Sequence, residues 1–191
     1  MSKTRLEAFS DGVLAIIITI MVLELKIPDG VTIDALIPIA PKFLSYALSF
    51  VFVGIYWNNH HHLLQIVRRI NGRVLWANIN LLFWLSLVPF VTGWLGENKL
   101  SSIPVAIYGL VMLLAGFAYY LLTRALLAIH ENDSPLAVAI GKDYKGYASL
   151  VLYTLGVLLS FIQPWISIGL YVTVAILWFI PDPRVEKTLE N

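Results

Sequence analysis

Arg5, Ser10 and Asp11 stand at the mouth of an aliphatic run, Val13 to Leu23, in which Thr19 is the only polar side chain. A guanidinium or carboxylate at a membrane margin reaches water by snorkelling. A helix carrying Arg, Asp, Thr and Glu among so many aliphatics nevertheless calls for protein or water along one face. A second set of polar side chains lies further on: Trp57 with His60-His61-His62, then Asn78 and Asn80 behind Trp76. Imidazoles bind transition metals and change charge near an unperturbed pKa of about 6.5. Adjacent histidines on a helix point in different directions, however, and cannot all converge on one ion. Ser10 and Asp11 have no histidine placed to complete a hydrolytic triad, and no phosphate-binding glycine loop is present. The chain has no cysteine, which removes disulfides, thiolate nucleophiles and thiolate metal sites. We therefore expect no catalytic residue, no enzymatic activity, no cofactor and no structural metal.

The elements that hold these groups are membrane helices. Among 191 residues, 59% are apolar and 13% charged, and the mean hydropathy is +0.79, outside the usual balance of a soluble domain. Six apolar stretches are expected to span, near 7–27, 36–66, 73–95, 104–127, 147–163 and 165–181. The last two are short but close to the lower limit for crossing the hydrocarbon. The first stretch has Asp11 and Gly12 in its opening turn and reads as a retained span rather than a signal peptide. Threading the six spans back and forth puts Lys3, Arg5, Arg68, Arg69, Arg73, Arg124, Lys142, Lys145, Arg184 and Lys187 on one side and leaves Lys26, Lys42 and Lys99 on the other. The positive-inside rule then places both termini in the cytoplasm. Pro28-Asp29-Gly30 and Asn71-Gly72 mark turns, Gln163-Pro164 a tight helical hairpin, and His130 to Gly146 a longer connection with room for a small surface helix. The expected fold class is all-α: a polytopic membrane protein with six transmembrane helices per subunit, residues 1–191 forming one domain. No internal repeat is evident, so a central pathway needs more than one copy.

Gly12, Ile16, Thr19, Ile20, Leu23 and Ile27 recur at steps of three and four and share one face of the first helix. Around an axis of identical subunits, Ile16, Ile20 and Leu23 would form apolar rings of the kind that gate by dewetting, with Thr19 supplying hydroxyls. The same spacing serves ordinary helix packing. Glu24, near the outer end of this helix, reads either as part of a cation-concentrating vestibule or as a solvated charge. The arginines of the inner turn are where topology requires them and suit lipid headgroups. No basic soluble domain is available for nucleic acid.

The pattern Arg-x-x-x-Phe-Ser-Asp-Gly, filled by Arg5, Phe9, Ser10, Asp11 and Gly12, resembles the signature of the transmembrane protein 175 family of potassium channels, in its bacterial single-repeat form. Tyr56-Trp57-x-x-His60 and Trp76-x-Asn78-x-Asn80-Leu81 extend the resemblance over the chain. It implies a homotetramer in the cell's inner (plasma) membrane, conducting potassium passively and with weak to moderate selectivity along the first helices. Ile16 would be the narrowest ring and Ile20 and Leu23 further rings. Thr19 would be a hydroxyl contact for a transient potassium ion one turn above Ile16. There is no pore-loop filter; the chain has no Thr-Val-Gly-Tyr-Gly segment. In this reading Arg5, Ser10, Asp11, Trp57, His60, His61, Asn78 and Asn80 form a structural polar network, and the partners are potassium ions, identical subunits and membrane lipids. The competing reading is an ion-coupled secondary transporter using Asp11 and the polar cluster of the second and third helices; such carriers usually show paired repeats or broken helices.

Overall fold

Short turn signals and long apolar runs leave helix as the only way to satisfy backbone groups in lipid. The computed structural model describes residues 2–131, 134–141 and 143–179, and every regular element among them is helical. Helix α1 runs Lys3–Leu23 and closes with Glu24 as its C-cap, so Ile27, expected on the same helix, lies beyond its end. A 3-10 segment at Ile33–Ile39 leads into α2, Ala40–Ile66, which carries Pro41 in its first turn, where the missing N–H costs nothing. The expected span near 36–66 thus begins as a 3-10 turn.

The third span is two helices, α3 at Gly72–Ser86 and α4 at Val88–Glu97. Pro89 explains the break: its ring and absent N–H cannot accept a continuous helix through the preceding turn. Leu87 serves both as the C-cap of α3 and the N-cap of α4. Helix α5, Ser102–Leu127, is followed by the small α6, Pro135–Ile140, where the Ser134 side chain accepts from the Ala137 N–H. Asp143 caps α7, Tyr144–Leu159, by accepting from the Gly146 N–H at 2.9 Å. Helix α8 covers Pro164–Phe179; residues 180 and 181 of the expected last span lie outside the described residues.

Among the described residues, four stretches have the length and composition to cross a membrane: Lys3–Leu23, Ile33–Ile66, Gly72–Glu97 and Ser102–Leu127. Helices α7 and α8 have 16 residues each, about 24 Å of helix against about 30 Å of hydrocarbon. They pack on each other as a hairpin and against α5.

Helix α5 sits at the centre, against α3, α4, α7 and α8. Lipid is as apolar as a leucine side chain, so helix association here depends on close approach and hydrogen bonds. Gly109 on α5 and Gly156 on α7 clear the space that the buried ring of Tyr171 on α8 fills, and a Cβ at either position would collide with it. The Tyr171 hydroxyl then donates to the Val105 carbonyl at 3.2 Å. Gly109→Ala is expected to cost about 1–3 kcal/mol by overpacking, read as a lower thermal midpoint of the purified protein, whereas Gly169→Ala, where a Cβ meets nothing, leaves it unchanged.

One end of the bundle is tied by Lys3, which donates to the Gln65 carbonyl at 3.2 Å, and by His130. The His130 ring bonds the Leu126 carbonyl through Nδ1 at 2.7 Å and accepts the Arg68 N–H through Nε2 at 3.3 Å. At the opposite end Lys42 pairs with Glu97 at 3.0 Å.

A candidate ion path and the polar chain behind it

Helix α1 divides into two faces, both aliphatic. Leu14, Ile17 and Met21 are 1%, 3% and 1% exposed and pack into the core, in register with Leu6 and Ser10. Ile16, Ile20 and Leu23 are 58%, 43% and 78% exposed, and Gly12 and Thr19 are exposed beside them. The stripe singled out by its spacing is therefore the face that finds no partner inside the subunit. At about 1.5 Å per residue, Ile16 and Ile20 lie about 6 Å apart along the helix, and Ile20 and Leu23 about 4.5 Å. The Thr19 hydroxyl shares its proton with the Ile16 and Ala15 carbonyls at 2.9 and 3.1 Å. Because that proton is committed to the helix, both lone pairs of the exposed oxygen are left to accept, the polarity a cation requires.

On the buried face Ser10 starts a chain of hydrogen bonds across three helices. Its hydroxyl donates to the Leu6 carbonyl at 2.9 Å and accepts from the Asn78 amide nitrogen at 2.9 Å. The Asn78 carbonyl oxygen accepts from His60 Nε2 at 2.7 Å. Ser10, Asn78 and His60 are all buried. With Asn78 donating to serine, its oxygen must accept, and this assigns the Nε2-protonated tautomer to His60. Each bond in this chain uses one donor and one acceptor, so α1, α2 and α3 are joined without an orphaned group in low dielectric.

A second contact lies nearer the surface. The Trp57 indole N–H donates to Asp11 Oδ1 at 3.0 Å. His61 stacks on Trp57 with ring centroids 5.9 Å apart at 15° and bonds Gln65 through Nε2 at 2.8 Å. The His62 ring lies tilted against His61, with centroids 6.0 Å apart at 48°. The three histidines thus diverge, as helical geometry requires. The structure does not bring the whole expected network together. Arg5 is exposed and Asn80 half-buried, and among the described residues neither side chain has a hydrogen-bond or ion-pair partner. Asn80 falls two residues from Asn78, and that spacing turns it away from the face that meets Ser10 and His60.

The end of the bundle away from the Ser10 chain holds a second polar chain that the sequence reading missed. Tyr108 on α5 and Ser49 on α2 approach to 3.0 Å through their hydroxyls, Ser49 and Thr92 on α4 to 2.7 Å, and Thr92 donates to the Val88 carbonyl at 2.7 Å. All three side chains are buried. Single Ser, Thr and Tyr residues are too common in apolar helices to signal this in one dimension. Glu24 is exposed and leans toward α4, where the missing side chain of Gly93 leaves its carboxylate room.

The family model described as endosomal/lysosomal potassium channel TMEM175 matches residues 5–89, the stretch from the first turn of α1 to the start of α4, which holds the Ser10–Asn78 and Asp11–Trp57 contacts. A potassium channel of Chryseobacterium sp. (strain P1-3) is 53% identical over 191 residues, all of both chains. The endosomal/lysosomal proton channel TMEM175 of Gallus gallus is 31% identical over 172 residues, covering 80% of this chain and 34% of that protein. The crystal structure of a lysosomal potassium-selective channel TMEM175 homolog from Chamaesiphon minutus superposes with a TM-score of 0.81 at 30% identity, covering 93% of this chain and 96% of that one. A full-length match at this identity, with the same fold, shows that the chain belongs to the TMEM175 family of ion channels.

Proposed function

We propose that the protein is a potassium channel whose passive, weakly to moderately selective ion path is lined by α1 from several copies of the chain. The observation that carries this is the sorting of α1: Ser10 on one side makes its buried bond to Asn78 of α3, while Ile16, Thr19, Ile20 and Leu23 are left uncovered on the other. A hydrophobic ring narrow enough to dewet closes such a path, and widening or wetting it opens it. Four subunits around one axis, each with six spans and both termini cytoplasmic in the inner membrane, are the arrangement that the resemblance and the basic-residue distribution favour. In that arrangement a potassium ion passes Thr19 transiently, Glu24 recurs once per subunit near the outer mouth, and Arg5 and Asn80 are available for contacts between copies.

The relatives named above are described as channels, and the ion-coupled carrier finds no support among them. Its proposed binding groups are also occupied: Ser10, Asn78 and His60 bond one another, and Asp11 receives the Trp57 N–H. The deciding experiment is the reversal potential of purified protein in planar bilayers under a potassium gradient, then under opposed potassium and sodium gradients, then under a proton gradient. Discrete currents reversing near the potassium equilibrium potential are the expected result. Reversal that follows the proton gradient would transfer the reading to a proton path, and currentless, substrate-dependent uptake in liposomes would transfer it to a carrier.

A further inference from the structure

Two adjacent clefts lie on the far side of the subunit from the exposed face of α1. The first, of about 50 Å³, opens between α2, α5, α7 and α8, and its walls are mainly apolar and aromatic, including Phe52, Tyr56, Tyr119, Tyr153 and Trp178. Its wall polar groups are largely engaged: the Tyr119 hydroxyl donates to the Asn59 carbonyl at 3.1 Å and the Trp178 indole N–H to Ser149 Oγ at 2.7 Å. The second, of about 330 Å³, lies between the last turns of α5 and the α6–α7 connection and is lined by Thr123, Arg124, Tyr144 and Tyr147 among others. Tyr120 and Asp143 line both. The pair is therefore one continuous feature, a slot for hydrocarbon leading to a polar mouth that holds one cationic and one anionic side chain.

We propose that this feature binds a zwitterionic glycerophospholipid with a primary ammonium headgroup, one acyl chain in the aromatic slot, the phosphate at Arg124 and the ammonium at Asp143. Charge complementarity selects this occupant. Arg124 and Asp143 line the same cleft without forming an ion pair with each other, leaving a guanidinium for phosphate and a carboxylate for ammonium. One oxygen of Asp143 caps α7 through the Gly146 N–H, which fixes the carboxylate and leaves its other oxygen to accept. Thr123, 5% exposed, lies in the wall beside Arg124, and its hydroxyl has no partner among the described residues. The site is at the end of the bundle where Arg68 meets His130, where phosphates of one leaflet lie. A free fatty acid brings only negative charge to Asp143, and phosphatidylcholine has no ammonium N–H to donate. An anionic lipid is the competing occupant, since Lys142 and Lys145 flank Asp143 in sequence.

Native mass spectrometry of the assembled protein, titrated with phosphatidylethanolamine, phosphatidylcholine and phosphatidylglycerol of identical acyl chains, tests this without reference to conduction. Retention of the ethanolamine lipid is expected on the order of tenfold above the glycerol lipid, with the choline lipid between them. Asp143→Asn keeps the helix cap and is expected to abolish the preference, while Arg124→Gln weakens every phospholipid. A Cβ on Gly116 would stand 3.6 Å from the Tyr56 hydroxyl and 3.7 Å from Leu150, so Gly116→Phe fills the slot and is expected to displace the acyl chain. Equal or stronger retention of phosphatidylglycerol or palmitate by the unaltered protein overturns the proposal. So does a preference that survives Asp143→Asn, whatever the folding of the Gly116 variant.

Discussion

Ile16→Asn is expected to raise potassium flux at a fixed gradient by on the order of tenfold, with the assembled protein intact on gel filtration. Ile16 is exposed within the subunit, so its replacement disturbs no packing against α2, α3 or α4. The substitution recurs in every copy around the axis, turning an apolar ring into a ring of amides that hold water and lower the dewetting barrier. A tenfold change corresponds to about 1.4 kcal/mol. Flux through liposomes loaded with a potassium indicator measures it. Leu14→Asn supplies the contrast: Leu14 is buried on the opposite face, and an amide there loses apolar burial without gaining a partner, so that variant should fail to assemble. Unchanged flux with an intact Ile16→Asn assembly would move the ion path off this face.

A large loss of stability is expected from Asn78→Ala. The substitution removes the donor to Ser10 and the acceptor from His60 together, leaving two buried groups without partners across three helices. At about 1–3 kcal/mol for each orphaned group, the cost is about 2–6 kcal/mol, a fall of roughly 4–24 °C in the thermal midpoint in detergent. Asn80→Ala, at a half-buried side chain with no partner among the described residues, should stay within about 0.5 kcal/mol. Equal midpoints for the two alanine variants would mean that the Ser10-Asn78-His60 chain contributes nothing to holding α1 in place.

Much of the candidate site was legible because polar residues are scarce in apolar helices. Ser10, Asp11, Trp57, His60, His61 and Asn78 stood out for that reason, and the structure pairs each of them. Arg5 and Asn80 stood out equally and find no partner among the described residues, since scarcity reveals a polar residue without revealing the direction of its side chain. The second chain, of Ser49, Thr92 and Tyr108, joins three helices, but hydroxyls can return a proton to their own helix, as Thr92 does to Val88, and so look unremarkable in sequence. The third span was legible as one apolar stretch carrying Pro89. Its division into α3 and α4 near Leu87 depends on how the preceding turn relaxes around the proline ring.

The sequence by itself determined the helical class, the apolar stretches and the periodicity of α1, because in lipid every backbone group must be satisfied within its own segment and turn residues mark where that stops. Only the tertiary structure decided which stripe of α1 turns inward. Leu14-Ile17-Met21 and Ile16-Ile20-Leu23 are equally aliphatic, and where lipid and protein interior are equally apolar, hydrophobicity cannot choose between them. The choice falls to Ser10, which shares a face with Leu14 and whose hydroxyl meets Asn78. That single directional bond faces the core and leaves Ile16 facing out.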